Sequence, residues 1–197
     1  MKGKNKRKLN IHIPANILSD RELSFNEKLI LGLHYSLSKK RGYVSMNNVE
    51  IGKTLHLHPN IINYCHKSLI EKGFLYKEKR IYTLTDKLQK LPNLSNDDRE
   101  ILLPVEIYSS GLNTGAKLLW GEYNSISKGI NNYFAKRDYT ARRLGASEQS
   151  VTNWTKELEN SSLLSEYYHK SGYAVSQKVV VTCTFERKKC KDDLPED

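Results

Sequence analysis

Apolar residues recur at helical spacing in three successive stretches of the first half of the chain. Leu29, Leu33 and Leu37, with Ile30 beside them, give a helix of about 14 residues one stripe to bury. Ser24-Phe25-Asn26-Glu27 ahead of it is a capping box, in which the Ser side chain serves an early backbone N–H and the Glu side chain reaches back. Gly42 ends that helix. A second helix is expected from about Met46 to Leu55, with Ser45 as its cap and Val49, Ile51 and Leu55 offered to the core. Pro59 then stands at the first position of a third helix, whose apolar stripe is Ile62, Cys65 and Leu69 and whose stop is Gly73. Two β-prone runs follow, Phe74 to Lys77 and Arg80 to Leu84, joined by Glu78-Lys79 as a short hairpin.

The second half runs through the same sequence of signals. Helices are expected from about Thr114 to Ser127, Lys136 to Leu144 and Ser147 to Asn160. A longer hairpin follows with strands Leu164 to Tyr168 and Val179 to Phe185, its loop holding His169, Lys170, Gly172, Tyr173 and Lys178. At an offset of 89 residues Leu23 falls on Leu112, Lys28 on Lys117, Leu29 on Leu118, Gly32 on Gly121 and Ser36 on Ser125. Without a gap the same offset brings Lys39 to Lys128, Leu55 to Leu144, Lys67 to Lys156, Leu69 to Leu158 and Leu75 to Leu164. One shared offset over so many positions argues for two copies of one fold. Both copies also open alike, on Ile13-Pro14 and on Leu103-Pro104.

The expected fold is therefore mainly α with small β-hairpin wings, an α+β architecture of two tandem domains. Residues 1–10 read as a flexible basic arm, 11–90 as the first domain, 91–102 as a linker, 103–186 as the second domain and 187–197 as a charged tail. Within the linker, Ser95-Asn-Asp-Asp98 offers caps for a short connecting helix.

Charge sharpens the choice of partner. The 197 residues carry a formal net charge of +10 and a sequence pI of about 9.4. Such an excess attracts a polyanion, because Lys and Arg neutralise phosphates and release their condensed counterions. The excess lies in the first half, with 18 Lys and Arg against 7 Asp and Glu up to Pro92, and 14 against 15 beyond it. Lys2, Lys4, Lys6, Arg7 and Lys8 supply part of it, on a polar run unsuited to a packed element. Cys65, Cys183 and Cys190 are odd in number, lack paired zinc spacing and follow no signal peptide, so a reducing, cytoplasmic setting is expected, with nucleoid association following from DNA binding. No apolar run approaches the roughly 20 residues of a membrane span, and no metal or cofactor is called for.

Thr140-Ala-Arg-Arg-Leu-Gly-Ala-Ser147, followed by Val151 and Leu158, has the order of a helix-turn-helix: small residue, Leu, turn Gly, apolar residue, cap. Ile51-Gly-Lys-Thr-Leu-His-Leu-His58 is a degraded form, with His56 in place of the turn glycine and His58 in place of the Ser cap. With Leu23 to Leu31 and Leu69 to Leu75, these segments resemble the winged helix-turn-helix domains of plasmid and phage replication and regulatory proteins. The resemblance implies a third helix laid in the major groove and a hairpin wing on the flanking backbone. On that pose Asn60, Asn63, Tyr64 and Lys67 would face the bases in the first copy, with Lys77, Lys79 and Arg80 of its wing over phosphates. In the second copy Gln149, Ser150, Thr152, Asn153 and Lys156 would face the bases, with Arg142 and Arg143 clamping phosphates.

The function expected is sequence-specific binding of double-stranded DNA as a transcriptional regulator, with a homodimer in view. Two alternatives stand beside it: a plasmid or phage origin-binding initiator, and an adaptor whose second domain holds a protein partner. An enzyme is not expected. His56-Leu-His58 and Tyr64-Cys-His-Lys67 superficially resemble motifs of tyrosine-dependent nicking enzymes. They fall, however, in a turn and the helix it feeds, and they read equally badly as a zinc site of His56, His58, Cys65 and His66. No phosphate-binding loop, dinucleotide glycine pattern or nucleophile elbow is present in the sequence.

Overall fold

Local capping chemistry sets the helix boundaries. In the computed structural model, which describes residues 9–171 and 176–185, the first half runs β1 (Ile11–Ile13), α1 (Ala15–Ser19), α2 (Phe25–Arg41), α3 (Asn48–Leu55), α4 (Pro59–Glu71), β2 (Leu75–Glu78), β3 (Ile81–Leu84) and α5 (Lys87–Lys90). The second half runs β4 (Ile101–Leu103), α6 (Val105–Tyr108), α7 (Thr114–Ser127), α8 (Arg137–Leu144), α9 (Glu148–Asn160), β5 (Leu164–Ser171) and β6 (Ser176–Thr182). The molecule is mainly helical with small antiparallel sheets. Residues 1–8 of the basic arm, Gly172 and Tyr173 of the second hairpin loop, Cys190 and the charged tail lie outside the described residues.

The capping box at Ser24 and Glu27 is formed, and α2 continues to Gly42, whose φ of 75° closes the helix in the left-handed region. The cap of α3 is Asn47 rather than Ser45, because Asn47 and Glu50 make the reciprocal pair of a second capping box. Pro59 opens α4, with the His58 ring nitrogen accepting from the Asn60 N–H. Between α3 and α4 His56 adopts φ 54° and ψ 47°, nearly the values of Gly145 at the same turn of the second half, φ 61° and ψ 38°. The turn that lacks its glycine therefore keeps the glycine conformation.

Two features lay beyond the sequence pattern. The segment 91–102, expected to be a linker, instead contributes to β4, which pairs antiparallel with β1 in the register Ile11↔Leu103, His12↔Leu102 and Ile13↔Ile101. This two-stranded sheet lies across α2 and α7. A Cβ on Gly32 would stand 2.5 Å from the Ile13 side chain, and one on Gly121 would stand 2.7 Å from Leu103 and 2.9 Å from Ile101. The matched glycines let the strands seat on the helices. Ser95 to Asp98 caps no helix; this stretch is pinned by side chains instead, with Asn93 donating to the Asp97 carbonyl at 3.0 Å and to the Asp98 carboxylate at 2.9 Å, and Arg143 donating to the Ser95 hydroxyl.

The second feature is one continuous core. Ile11, Ile13, Leu29, Leu33, Ile101, Leu103, Leu118 and Trp120 are all buried in the same apolar cluster, so the halves share an interior. The helices α2 and α7 touch, as do α1 and α8. Phe25 meets Trp154 edge-on at 4.8 Å between ring centres, and Thr114 donates to Asn26 at 2.6 Å. Tyr108 donates to the Leu9 carbonyl at 3.0 Å.

Candidate nucleic-acid interface

The apolar stripe of α4 dictates what the helix turns outward. Ile62, Cys65, His66 and Leu69 are buried, which leaves Asn60, Asn63, Tyr64 and Lys67 exposed on the opposite face. Tyr64 is 73% exposed, so its ring is not used for packing. The inner face of the helix is held partly by polar contacts. The His66 Nε2 lies 2.9 Å from the His34 Nε2, its Nδ1 lies 3.0 Å from the Asn48 Oδ1, and its ring stacks on Tyr82 at 4.2 Å. If His66 donates from Nδ1 to Asn48, its Nε2 accepts from His34, and both rings are neutral. That assignment agrees with their pKa values: burial, then the nearby partner, pushes His34 down to about 3, and burial with the charge of Lys77 pushes His66 to about 4.

The hairpin β2–β3 extends from the end of α4. Its strands pair from Leu75↔Leu84 to Glu78↔Ile81, leaving Lys79 and Arg80 as the turn, and Lys79 takes φ 53°. An isolated bridge between Val44 and Tyr82 ties the hairpin to the loop before α3. Lys77, Lys79 and Arg80 are exposed and line a groove of about 830 Å³ together with Lys53, Asn47 and Asn48. Lys53 belongs to no motif of its own, but it sits 89 residues before Arg142, which the expected pose places over phosphates. The repeat alignment held that signal.

In the second half α9 buries Val151, Trp154, Thr155 and Leu158, and its outer face carries Gln149, Asn153 and Lys156, with Ser150 and Thr152 half-buried. Gln149 donates to Asn153 at 2.9 Å, and Thr152 donates to the Glu148 carbonyl at 3.0 Å, so part of this face is spent within the helix. Arg142 is exposed and lies 3.5 Å from Asp138.

Arg143 is a correction. Its side chain is fully buried, with Nε 3.1 Å from Glu122, and its guanidinium donates to the Asp97 carbonyl at 2.8 Å and to the Arg99 carbonyl. It cannot reach a phosphate, because every direction it points is occupied by protein. Arg99 completes the cluster, bonded to Asp97 at 2.6 Å and Glu122 at 3.2 Å, and Tyr139 donates to Asp97. Burial alone would raise the Asp97 carboxyl, but hydrogen bonds from Arg99 and Tyr139 and the charge of Arg143 hold it well below the usual carboxylate range. The cluster fastens residues 95–99 to the second half.

Lys28 and Lys117, matched in the sequence, are also fully buried. Lys28 donates to the carbonyls of Leu18 at 2.9 Å and Leu144 at 2.8 Å, while Lys117 donates to those of Tyr108 at 3.0 Å and Leu55 at 2.8 Å. Burial lowers each to about 8, partly opposed by Asp20 and Glu157 respectively.

The residues weighed for zinc have other employment: His66 pairs with His34, His58 caps α4, and Cys65 is buried, its thiol pushed up to about 11 by burial and by Glu27. Among the described residues no helix is long and apolar enough to cross a membrane. The chain matches no family model, and no curated protein matches its sequence.

Proposed function

We propose that this chain binds specific sequences in double-stranded DNA as a transcriptional regulator, through two winged helix-turn-helix units of one repeated design. The observation that carries the reading is the α4 face, where Asn60, Asn63, Tyr64 and Lys67 stand exposed; the same half also carries a groove lined by the cations Lys53, Lys77, Lys79 and Arg80. Amides pair bidentately with adenine and lysine reaches guanine or phosphate, so such a helix has readers for bases and the groove has anchors for the backbone. The outer face of α9 offers a second set of readers in Gln149, Asn153 and Lys156. Because one chain carries both helices, a homodimer is not needed to present two readers.

Binding of duplex from the chain's own locus, measured across a salt series, tests this. Asn63→Ala/Lys67→Ala is expected to cost about 10-fold or more at the specific site, and Asn153→Ala/Lys156→Ala a comparable amount if both helices read. Removing the cations is also expected to flatten the salt dependence by roughly one unit of log–log slope per phosphate contact. If neither pair changes specific binding, the proposal fails. The near-neutral charge of the second half favours a second reading, in which α9 and the β5–β6 hairpin hold a protein partner; there only the first pair would matter. Sites repeated beside an AT-rich stretch, rather than placed at promoters, would make the chain an origin-binding initiator.

A further inference from the structure

The two buried lysines exchange partners between the halves. Lys28, on α2, reaches the carbonyl of Leu144, the last residue of α8. Lys117, on α7, reaches the carbonyl of Leu55, the last residue of α3. Each ammonium thus sits at the negative end of a helix of the other half, α8 for Lys28 and α3 for Lys117, where the aligned peptide dipoles and the orphan carbonyls of the last turn both favour a cation. Each also holds a carbonyl of the short helix in its own half, Leu18 of α1 and Tyr108 of α6. The turns just beyond these contacts, at His56 and Gly145, lead directly into α4 and α9.

The surrounding packing has the same reciprocity. Gly145 lies against the first half, where an added Cβ would stand 2.8 Å from the Asp20 carbonyl and 2.9 Å from the Lys28 ammonium. The His56 ring lies against Gly111 of the second half. Nothing on the outer faces of α4 or α9 contributes to these contacts.

We propose that Lys28 and Lys117 are positioning residues, a reciprocal lock by which each half fixes the helix-turn-helix turn of the other and so holds α4 and α9 at one set separation. Resting on the DNA-binding reading above, the consequence is that the chain accepts two half-sites at one spacing only. The contacts give the lock its strength: an unpaired carbonyl left in a dry interior costs far more than one returned to water, and four carbonyls depend on two amines.

Native-state hydrogen exchange on the DNA-free protein tests the lock without any assumption about ligand. The diagnostic amides are Leu57, bonded to the Gly52 carbonyl, and Ala146, bonded to the Ala141 carbonyl. Lys117→Met is expected to speed exchange at Leu57 by about tenfold or more while leaving Ala146 near its wild-type rate, and Lys28→Met to do the reverse. Lys117→Gln, which keeps a donor, should restore part of the protection and serves as the test variant if the methionine form does not fold. Equal acceleration in both halves, or none, overturns the lock, since a merely destabilised protein opens everywhere alike.

A pool of randomised duplex supplies the second arm. The wild-type chain is expected to enrich two sequence blocks at one separation, and each methionine variant the same blocks at several separations. Variants that keep the single separation overturn the role in spacing. A wild-type chain that enriches no blocks, while the crossed exchange pattern persists, sinks the DNA reading and leaves the lock standing as a device of the fold.

Discussion

His56 occupies a backbone conformation that costs a side chain with a Cβ about 1 kcal/mol or more, with φ 54° where the second half has Gly145. His56→Gly is expected to raise stability by up to about 1 kcal/mol, less what glycine loses through its freer unfolded chain. The midpoint of urea unfolding checks it; a lower midpoint would mean that the ring's contact with Gly111 outweighs the strain. A second residue-scale effect belongs to the His34 and His66 pair. Both titrate far below the roughly 6.5 of an unfolded imidazole, at about 3 and about 4. Between those limits the unfolded chain binds more protons than the folded one, so stability rises with pH through the window and is lost as pH falls from about 6.5 toward about 4. The slope approaches about 1.4 kcal/mol per pH unit for each imidazole. Unfolding midpoints followed across that window should flatten in the double variant His34→Leu/His66→Gln, and an unchanged slope would place the acid sensitivity elsewhere.

Among the elements, those with local signals were legible and those without were not. The starts of α4, α7 and α9 follow from Pro59, from the Asn113 cap and from the Ser147 cap, all of which act within one turn of chain. The outer face of α4 was legible for the same reason, since a buried stripe at i, i+3 and i+7 decides what remains outside. The strands β1 and β4 have three residues each and no periodicity to find; their stability comes from pairing 90 residues away and from the helices beneath them. Their seat depends on Gly32 and Gly121. Gly32→Ala is expected to destabilise the protein by about 1 to 3 kcal/mol, because the new methyl overlaps the Ile13 side chain and the strand must lift. Thermal unfolding checks this, and a neutral result would show that β1 rides on α2 more loosely than the distances imply. Arg143 misled because basic residues on an amphipathic helix read as solvated; only the distant partners Glu122 and Asp97 reveal it as buried.

At the scale of the molecule the charge and the architecture divide differently. Charge separates the halves, with the excess of Lys and Arg before Pro92, and the basic groove against α3 and the first hairpin belongs to that half. Architecture joins them: one apolar core, a shared sheet, Phe25 on Trp154, and lysines committed across the boundary. The sequence pattern matches Lys28 with Lys117 beside Leu29 and Leu118 and says nothing of their burial, since nothing local distinguishes an ammonium in water from one that ends another helix. The pairing of β1 with β4 also decides what the segment between the halves can tolerate. A chain severed between 91 and 100 would remain a noncovalent pair of complementary fragments. Neither fragment is a module for transplantation, because each would carry away a bare strand edge and a buried ammonium stripped of one of its two acceptors.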